Sequence, residues 1–177
     1  IVGSFATLIL GLTFYDFFGN FFEDIYLLGY AFLFTGSLLF LSKYITGKRK
    51  FIGLGSAISI GLAQGISLIP GVSRSGTTIS AGMLSGVEKE EVARFSFLLS
   101  IPAVLGASVL DTVRNYDVIL IFLENNFVAT MLGVLFSAVV GWFSLKGLLW
   151  IIKRGNFHYF SYYCFFLGIL ILTKVIT

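Results

Sequence analysis

Long apolar runs separated by short charged segments dominate this sequence. A membrane-spanning helix needs about 20 largely apolar residues, and several of the runs approach that length. We predict apolar helices over the following ranges: Ile1–Phe14, Tyr26–Leu41, Phe51–Ile69, Thr77–Val87, Val92–Leu110, Phe127–Ile152 and Tyr159–Ile176. The pattern therefore predicts an all-α polytopic membrane protein that forms a single transmembrane domain over residues 1–177.

Composition supports a bilayer as the solvent of this chain. Of its 177 residues, 57% are hydrophobic and only 12% are charged, whereas soluble domains carry about 25% charged residues. The net charge of +3 comes from small basic clusters beside apolar runs, which is typical of membrane proteins and does not indicate nucleic-acid binding. The single cysteine, Cys164, excludes an internal disulfide, and no His/Cys cluster has zinc-site spacing.

Basic residues in short loops predict the orientation of the helices, because Lys and Arg favour the cytoplasmic side. The segment Lys43–Lys50 is basic and is predicted to be cytoplasmic, whereas Tyr15–Ile25 has only acidic charges and is predicted to lie outside. The same rule places Lys153, Arg154 and the segment Gly86–Glu91 inside, and the loop Asp111–Asn126 outside.

The chain between Lys50 and Glu88 crosses the membrane an even number of times if both residues lie inside. Thr77–Val87 is too short to span at about 1.5 Å per residue. We therefore predict a re-entrant helical hairpin over about residues 51–87, with its turn at Pro70–Ser75 inside the membrane. Irregular backbone at that depth requires surrounding protein or a water-filled cavity, so the topology predicts a polar cavity around the turn.

The segment Pro70–Thr78 has the composition of an anion site. Gly71 and Gly76 permit tight backbone, and the planar donors of Arg74 suit phosphate oxygens. The helix that begins near Gly76 offers free N–H groups and its positive dipole end. Hydroxyl donors come from Ser73, Ser75, Thr77 and Thr78. In the structural alternative, Arg74 snorkels to a lipid headgroup or ties the turn together.

Three stretches resemble the second signature of the undecaprenyl pyrophosphate phosphatases, the bacitracin-resistance family: Gly61–Gln64, Leu68–Thr78 and Phe95–Pro102. The resemblance covers the whole chain, which corresponds to the C-terminal two-thirds of a full-length member of this family. It implies hydrolysis of undecaprenyl pyrophosphate to undecaprenyl phosphate and inorganic phosphate, which recycles the carrier lipid for cell-wall synthesis and gives bacitracin resistance. It also implies one half of an inverted-repeat architecture, in the bacterial cytoplasmic membrane, with the active site facing the outer side.

Site residues follow from the resemblance position by position. Arg74 is expected to grip the pyrophosphate, and Ser73 is the second candidate catalytic residue. The attacking group is either water or an enzyme serine, and Ser73 is a poorer choice than a serine of the family's first signature. The candidate phosphate-binding residues are Gly71, Ser75, Gly76, Thr77, Thr78 and Gln64.

The family's first signature, with its glutamates that hold a divalent metal, is not found in this chain. No Glu-rich motif occurs before Glu23. The resemblance therefore implies Mg²⁺ or Ca²⁺ as cofactor, with ligands in a missing N-terminal part and no metal site in this chain. The sequence begins with Ile1 rather than Met, and Ile1–Phe14 resembles the middle of a membrane span. We therefore expect an N-terminal truncation. A fragment without the first signature is expected to risk being inactive.

Two other functions stay open at the level of sequence. A lipid-phosphate transporter or flippase also suits a re-entrant hairpin with an anion-binding tip, and a truncated paralogue would be inactive. A homodimer is compatible with the sequence. We expect His158 at headgroup level and Glu88 at the solvated start of a helix, with Ser85–Glu88 as its capping box.

Overall fold

A computed structural model describes residues 2–13 and 24–173, and this part of the chain is almost entirely helical. The helices are α1 (Val2–Thr13), α2 (Ile25–Leu41), α3 (Leu54–Ile66), α4 (Arg74–Leu84), α5 (Lys89–Arg114), α6 (Tyr116–Lys153) and α7 (Phe160–Leu172). Single 3₁₀ turns follow α2 at Ser42–Tyr44 and precede α7 at Phe157–Tyr159. The predicted all-α class is confirmed for the described residues.

Three helices are long and apolar enough to cross a membrane: Ile25–Tyr44, Lys89–Arg114 and Tyr116–Lys153. Leu54–Ile66 and Phe157–Leu172 are apolar but shorter. The protein is thus a membrane protein with several apolar helices. Most of the predicted external loop at positions 15–25 lies outside the described residues, as do the ends of the first and last predicted spans.

Helices α3 and α4 form a hairpin whose two outer ends meet. They have 13 and 11 residues and are about 20 and 17 Å long, well short of a hydrocarbon core of about 30 Å. The backbone N–H of Glu88 donates to the carbonyl of Arg49 (2.8 Å), and the N–H of Arg49 donates to the carbonyl of Gly86 (3.1 Å). The chain therefore enters and leaves the hairpin at the same end, which we call its base.

The base of the hairpin is held by a side chain as well as by backbone. The guanidinium of Arg49 donates to the Ser85 carbonyl, and to the hydroxyl of Ser56 at 3.3 Å. A Cβ on Gly47 would lie 1.9 Å from the carbonyl oxygen of Val87, so only glycine allows this contact. A predicted cytoplasmic loop thus folds directly against the base.

The other helices pack around this hairpin. Helix α1 lies against α3, α2 runs along α7 and also contacts α4, and α5 follows α4. The buried core includes Leu39, Ile60, Ile79, Val92 and Ile152. In contrast, α6 is largely exposed along its apolar length. Because that surface is apolar, it is suited to lipid rather than water.

Two sequence predictions are wrong in detail. The segment Asp111–Asn126 is not a loop, since α5 continues to Arg114 and α6 begins at Tyr116. It contains no glycine or proline to end a helix, and the only interruption inside α6 is a kink at Asn126 (φ −131°, ψ 28°).

The predicted capping box at Ser85–Glu88 does not form either. Glu88 itself is the N-cap of α5 and makes no side-chain capping hydrogen bond. Ser85 instead ends α4, and its hydroxyl donates back to the carbonyl of Ala81 at 2.9 Å. The positive φ of Gly86 (83°) separates the two helices, so the serine belongs to the first helix rather than the second.

Candidate phosphate-binding site

A short loop joins α3 to α4 at the tip of the hairpin. After Ile66 the chain forms turns with hydrogen bonds between residues three apart. The N–H of Leu68 donates to the carbonyl of Gly65, and the N–H of Ile69 donates to the carbonyl of Ile66, both at 3.1 Å. Pro70 has no N–H to continue the helix. The chain then reverses at Gly71, whose φ is +84°, and enters α4 after Ser73.

Gly71 lets this loop pack directly against α2. A Cβ there would lie 2.7 Å from Leu28 Cδ1, 3.0 Å from Ala31 Cβ and 3.2 Å from the Leu28 carbonyl oxygen. Its positive φ is also unfavourable for a residue with a side chain. Both observations explain why glycine occupies this position, and they make α2 the support on which the loop rests.

Gly71→Ala is expected to destabilise the protein by about 1–2 kcal/mol from the left-handed backbone alone, with the Leu28 contact adding to that. A thermal unfolding midpoint in detergent should therefore fall by several degrees. Gly106→Ala is the matched control, because a Cβ on Gly106 within α5 meets nothing within 4 Å. Equal midpoints for the two variants would show that the loop does not depend on close contact with α2.

Thr35 of α2 binds the loop through one hydroxyl and was missed by the sequence analysis. It accepts a hydrogen bond from the N–H of Ser73 at 3.1 Å and donates one to the carbonyl of Gly71 at 3.4 Å. Its side chain is buried. An isolated polar residue in an apolar helix often makes such an interhelical contact, which is the signal that could have identified Thr35.

The N-terminus of α4 is arranged to bind an anion. Ser73 is the N-cap, and its hydroxyl oxygen accepts the N–H of Gly76 at 3.2 Å. The N–H groups of Arg74 and Ser75, in the first turn, have no intrahelical acceptor. These donors coincide with the positive end of the helix dipole, so negative charge is stabilised at this point.

Arg74, the first residue of α4, is half-buried and has no charge partner in the described part of the chain. Other charged side chains are paired, as Arg94 is with Glu91 (3.9 Å) and Lys153 with Glu90 (3.7 Å). The guanidinium of Arg74 also makes no hydrogen bond to any described residue. An arginine within a membrane costs roughly 2.5–3.5 kcal/mol on insertion scales, so an unpaired one favours an anionic ligand.

A cavity of about 470 Å³ adjoins the tip of the hairpin. Ser73, Ser75 and Gly76 form its polar end, and its other walls come from α2, α6, α7 and the turn before α7. The structure therefore brings these three predicted site residues together at one cavity. The other predicted residues do not line it: Gly71, Arg74, Thr77, Thr78 and Gln64.

Thr77 and Thr78 are buried, and their hydroxyls are already used. Thr77 donates to the carbonyl of Ser73 at 2.6 Å, and Thr78 donates to the carbonyl of Arg74 at 2.7 Å. The hydroxyl of Ser96 on α5 lies 2.5 Å from the Thr78 hydroxyl. Because the Thr78 hydroxyl proton is donated to the Arg74 carbonyl, Ser96 is the donor in this pair. These hydrogen bonds secure the start of α4, and contact of the two threonines with phosphate stays a prediction.

Gln64 points away from the tip cavity and towards α1. Its amide nitrogen donates to the hydroxyl of Thr7 at 3.1 Å, and that hydroxyl lies 3.0 Å from the carbonyls of Gly3 and Gly61. The side chain is 1% exposed, and its Oε1 has no partner among the described residues. This geometry gives Gln64 a packing role between α1 and α3.

The residues around the hairpin tip do not fit a divalent cation. Within the described ranges, no group of three or more His, Cys, Asp or Glu side chains is placed to hold a metal ion. The tip itself offers hydroxyls, helix amides and a cationic side chain, which bind anions rather than Mg²⁺ or Ca²⁺. The donors at the tip therefore suit the phosphate groups of a ligand and not a metal ion.

Comparison with known proteins agrees with the character of this site. The family model of bacitracin resistance protein BacA matches residues 1–170. A protein of Halothermothrix orenii named undecaprenyl-diphosphatase is 38% identical over 97% of this chain and 67% of its own length. One from Desulfosudis oleivorans with the same name is 43% identical over 95% of this chain and 61% of its own length.

A third relative differs in length. The undecaprenyl-diphosphatase of Methanothermobacter thermautotrophicus is 38% identical over 99% of this chain and 98% of its own length. The chain spans about two thirds of the length of the relatives from Halothermothrix orenii and Desulfosudis oleivorans. Both the extent of the family match and the identity to these relatives lead to one conclusion: the chain belongs to the bacitracin resistance protein BacA family.

Proposed function

We propose that this chain removes the terminal phosphate of undecaprenyl pyrophosphate, giving undecaprenyl phosphate and inorganic phosphate. Support comes from its relatives named undecaprenyl-diphosphatase, including the one from Methanothermobacter thermautotrophicus that this chain covers over 98% of its length. An enzyme of this kind recycles a carrier lipid for cell-wall synthesis, and its activity accounts for resistance to bacitracin.

The observation that carries the proposal is that Arg74, at the N-terminus of α4, has no charge partner among the described residues. Arg74 does not line the cavity, but its chain neighbours Ser73 and Ser75 do, and a phosphate bound at their end of the cavity would lie at the helix terminus that Arg74 begins. The free amides of the first turn and the Ser75 hydroxyl add neutral donors. Phosphoryl transfer depends chiefly on positioning and on stabilising the charge of the transferred group, and these are the contributions this loop can make.

The reaction breaks the bond between the bridging oxygen and the terminal phosphorus. A water molecule or an enzyme serine attacks that phosphorus, and undecaprenyl phosphate leaves with the bridging oxygen. Attack by water gives inorganic phosphate directly, whereas attack by a serine gives a phosphoserine whose phosphorus–oxygen bond a water molecule must then break to release inorganic phosphate and restore the serine. Ser73 remains a weak candidate for the attack, because its oxygen already accepts the Gly76 N–H. Its O–H proton is still free to donate to a phosphate oxygen, which makes binding its more natural role.

We also propose that the α3–α4 hairpin is re-entrant and that the tip cavity opens towards the outer side of the cytoplasmic membrane. Basic residues gather at the base of the hairpin, where Lys43 and Lys89 line a second, smaller cavity and Lys153 pairs with Glu90. Lys and Arg favour the cytoplasmic side. The tip lies at the opposite end of the hairpin, which supports an outward-facing site.

Phosphate release from undecaprenyl pyrophosphate tests the function directly. The purified protein in detergent, with Mg²⁺ or Ca²⁺ supplied, should release inorganic phosphate in proportion to enzyme and leave undecaprenyl phosphate as the lipid product. Mass spectrometry of the lipid identifies that product. Saturable lipid binding without phosphate release under either metal would reject hydrolysis and make lipid transport the better account.

A further inference from the structure

The base of the hairpin holds a second cavity, of about 290 Å³, which we call the base cavity. It lies where the loop between α2 and α3, the junction of α4 with α5 and the turn between α6 and α7 meet. Its polar lining includes Lys43, Lys89 and His158, and Glu88 is the one carboxylate among the described residues that line it. Buried apolar side chains form another part of its wall: Ile79, Met83, Ile152 and Phe157.

The two lysines of the base cavity are available to an anion. Lys89 is half-buried, and Lys43 is exposed with its ammonium 5.8 Å from the centre of the Tyr44 ring. Neither lysine has a carboxylate partner among the described residues, although Glu88 lines the same cavity. Because removing an ammonium from water without a partner costs free energy, a bound anion would offset a cost that the described residues leave uncompensated.

The first turn of α5 adds neutral donors beside these lysines. Glu88 is the N-cap of this 26-residue helix but makes no side-chain capping hydrogen bond, and the N–H groups of the first turn have no intrahelical acceptor. They coincide with the positive end of the helix dipole, which stabilises an anion. The two other carboxylates of this turn are each paired with a cation: Glu90 with Lys153 (3.7 Å) and Glu91 with Arg94 (3.9 Å).

Aromatic side chains indicate that the base cavity lies near the surface of the membrane. Tyr44, Trp150 and Tyr159 are exposed, and each is close in the chain to a residue that lines the cavity. The guanidinium of Arg154 lies over the Trp150 ring, 3.9 Å from its centre. Trp and Tyr concentrate where a bilayer meets water, which is also the level of the lipid headgroups.

We propose that the base cavity binds the headgroup of an anionic phospholipid such as phosphatidylglycerol. Its phosphodiester accepts hydrogen bonds from the ammonium groups of Lys43 and Lys89, and the apolar wall faces the first carbons of the acyl chains. The volume of about 290 Å³ is near the lower limit of small-molecule pockets, about 300 Å³, so most of each chain stays in the bilayer. Basic pockets between membrane helices bind lipid headgroups in this way. The inference does not depend on the proposed function.

Native mass spectrometry of the purified protein in detergent counts bound lipids and gives the affinity for the first one. Lys43→Gln/Lys89→Gln should weaken the binding of phosphatidylglycerol about 30-fold, because each lysine near an anionic lipid contributes about fivefold. Lys43→Arg/Lys89→Arg keeps both charges and should bind the lipid nearly as well as wild type. Lys48→Gln/Lys50→Gln is the matched control, since it removes the same charge from exposed positions that do not line the cavity.

Thermal unfolding gives a second readout of the same site. A lipid that binds several segments of the folded chain, and not the unfolded chain, raises the unfolding midpoint as its concentration rises. Phosphatidylglycerol should therefore stabilise wild type and Lys48→Gln/Lys50→Gln, and should have little effect on Lys43→Gln/Lys89→Gln. Phosphatidylcholine with the same acyl chains has no net charge and should stabilise none of the three proteins by a comparable amount.

Three results would overturn the inference. Equal losses of affinity in the two glutamine pairs would mean that diffuse surface charge, and not the base cavity, attracts the lipid. Equal affinity for phosphatidylcholine and phosphatidylglycerol would mean that the charge of the headgroup is not recognised. Displacement of phosphatidylglycerol by an equimolar amount of inorganic phosphate would mean that the site takes free phosphate instead of lipid. None of these measurements uses turnover, so a protein that releases no phosphate would reject the proposed function and leave this inference standing.

Discussion

Arg74→Ala should reduce phosphate release from undecaprenyl pyrophosphate by about 10²–10³-fold, the loss seen when one donor to a developing negative charge is removed. The reason is that Arg74 is the only cationic side chain in the loop between α3 and α4 or the first turn of α4. The helix dipole and neutral donors that remain are weaker. Initial rates at saturating lipid, measured with free phosphate detection, give the size of the effect.

Two companion variants show whether the loss belongs to this site. Arg74→Lys keeps the charge but loses the planar fork of donors, so its activity should fall between that of wild type and Arg74→Ala. Arg94→Ala is the control, because Arg94 is exposed on α5 and pairs with Glu91. If Arg74→Ala is as active as Arg94→Ala, Arg74 does not bind the phosphate of the substrate. Arg74 then either snorkels to a lipid headgroup or holds the turn together.

The hairpin could be predicted from sequence because its causes are local. Proline and glycine stop α3 and reverse the chain, and a second apolar segment too short to span follows at once. The basic residues at Lys43–Lys50 led to the prediction that the base lies on the cytoplasmic side, and the contact between Arg49 and Glu88 joins the two ends of the hairpin. The anion-binding character of the loop followed from Arg74 for the same reason, since it depends on residues adjacent in the chain.

Contacts between distant segments could not be predicted in the same way. The hydroxyls of Thr77 and Thr78 looked available in sequence, but only the packing of α5 shows that Ser96 and helix carbonyls already occupy Thr78. The direction of Gln64 depends on α1, which no local pattern reveals. Asp111–Asn126 looked like a loop because the apolar runs stop on either side of it, yet it contains no glycine or proline, and only Asn115 and the kink at Asn126 interrupt the helices there.

Thr35 is the residue whose contacts with the loop only the fold shows, and it yields the second large effect. Thr35→Val preserves shape but removes the hydroxyl that binds Ser73 N–H and Gly71 C=O. Leaving a buried polar group unpaired costs about 1–3 kcal/mol. The loop would relax from its position on α2, and we expect kcat for phosphate release to fall about 10–100-fold, as an error of about 1 Å in placement can cost 10²-fold.

Thr35→Ser restores the hydroxyl and should recover most of the kcat, which separates a positioning role from loss of the threonine methyl group. Thr112→Val is the matched control, because the exposed Thr112 hydroxyl only donates to its own helix at Ser108 (2.7 Å). A kcat for Thr35→Val equal to that of Thr112→Val would mean that the loop holds its shape without α2. If instead only Thr35→Val loses activity, α2 is part of the catalytic apparatus through the loop it supports, although it offers no group to the phosphate.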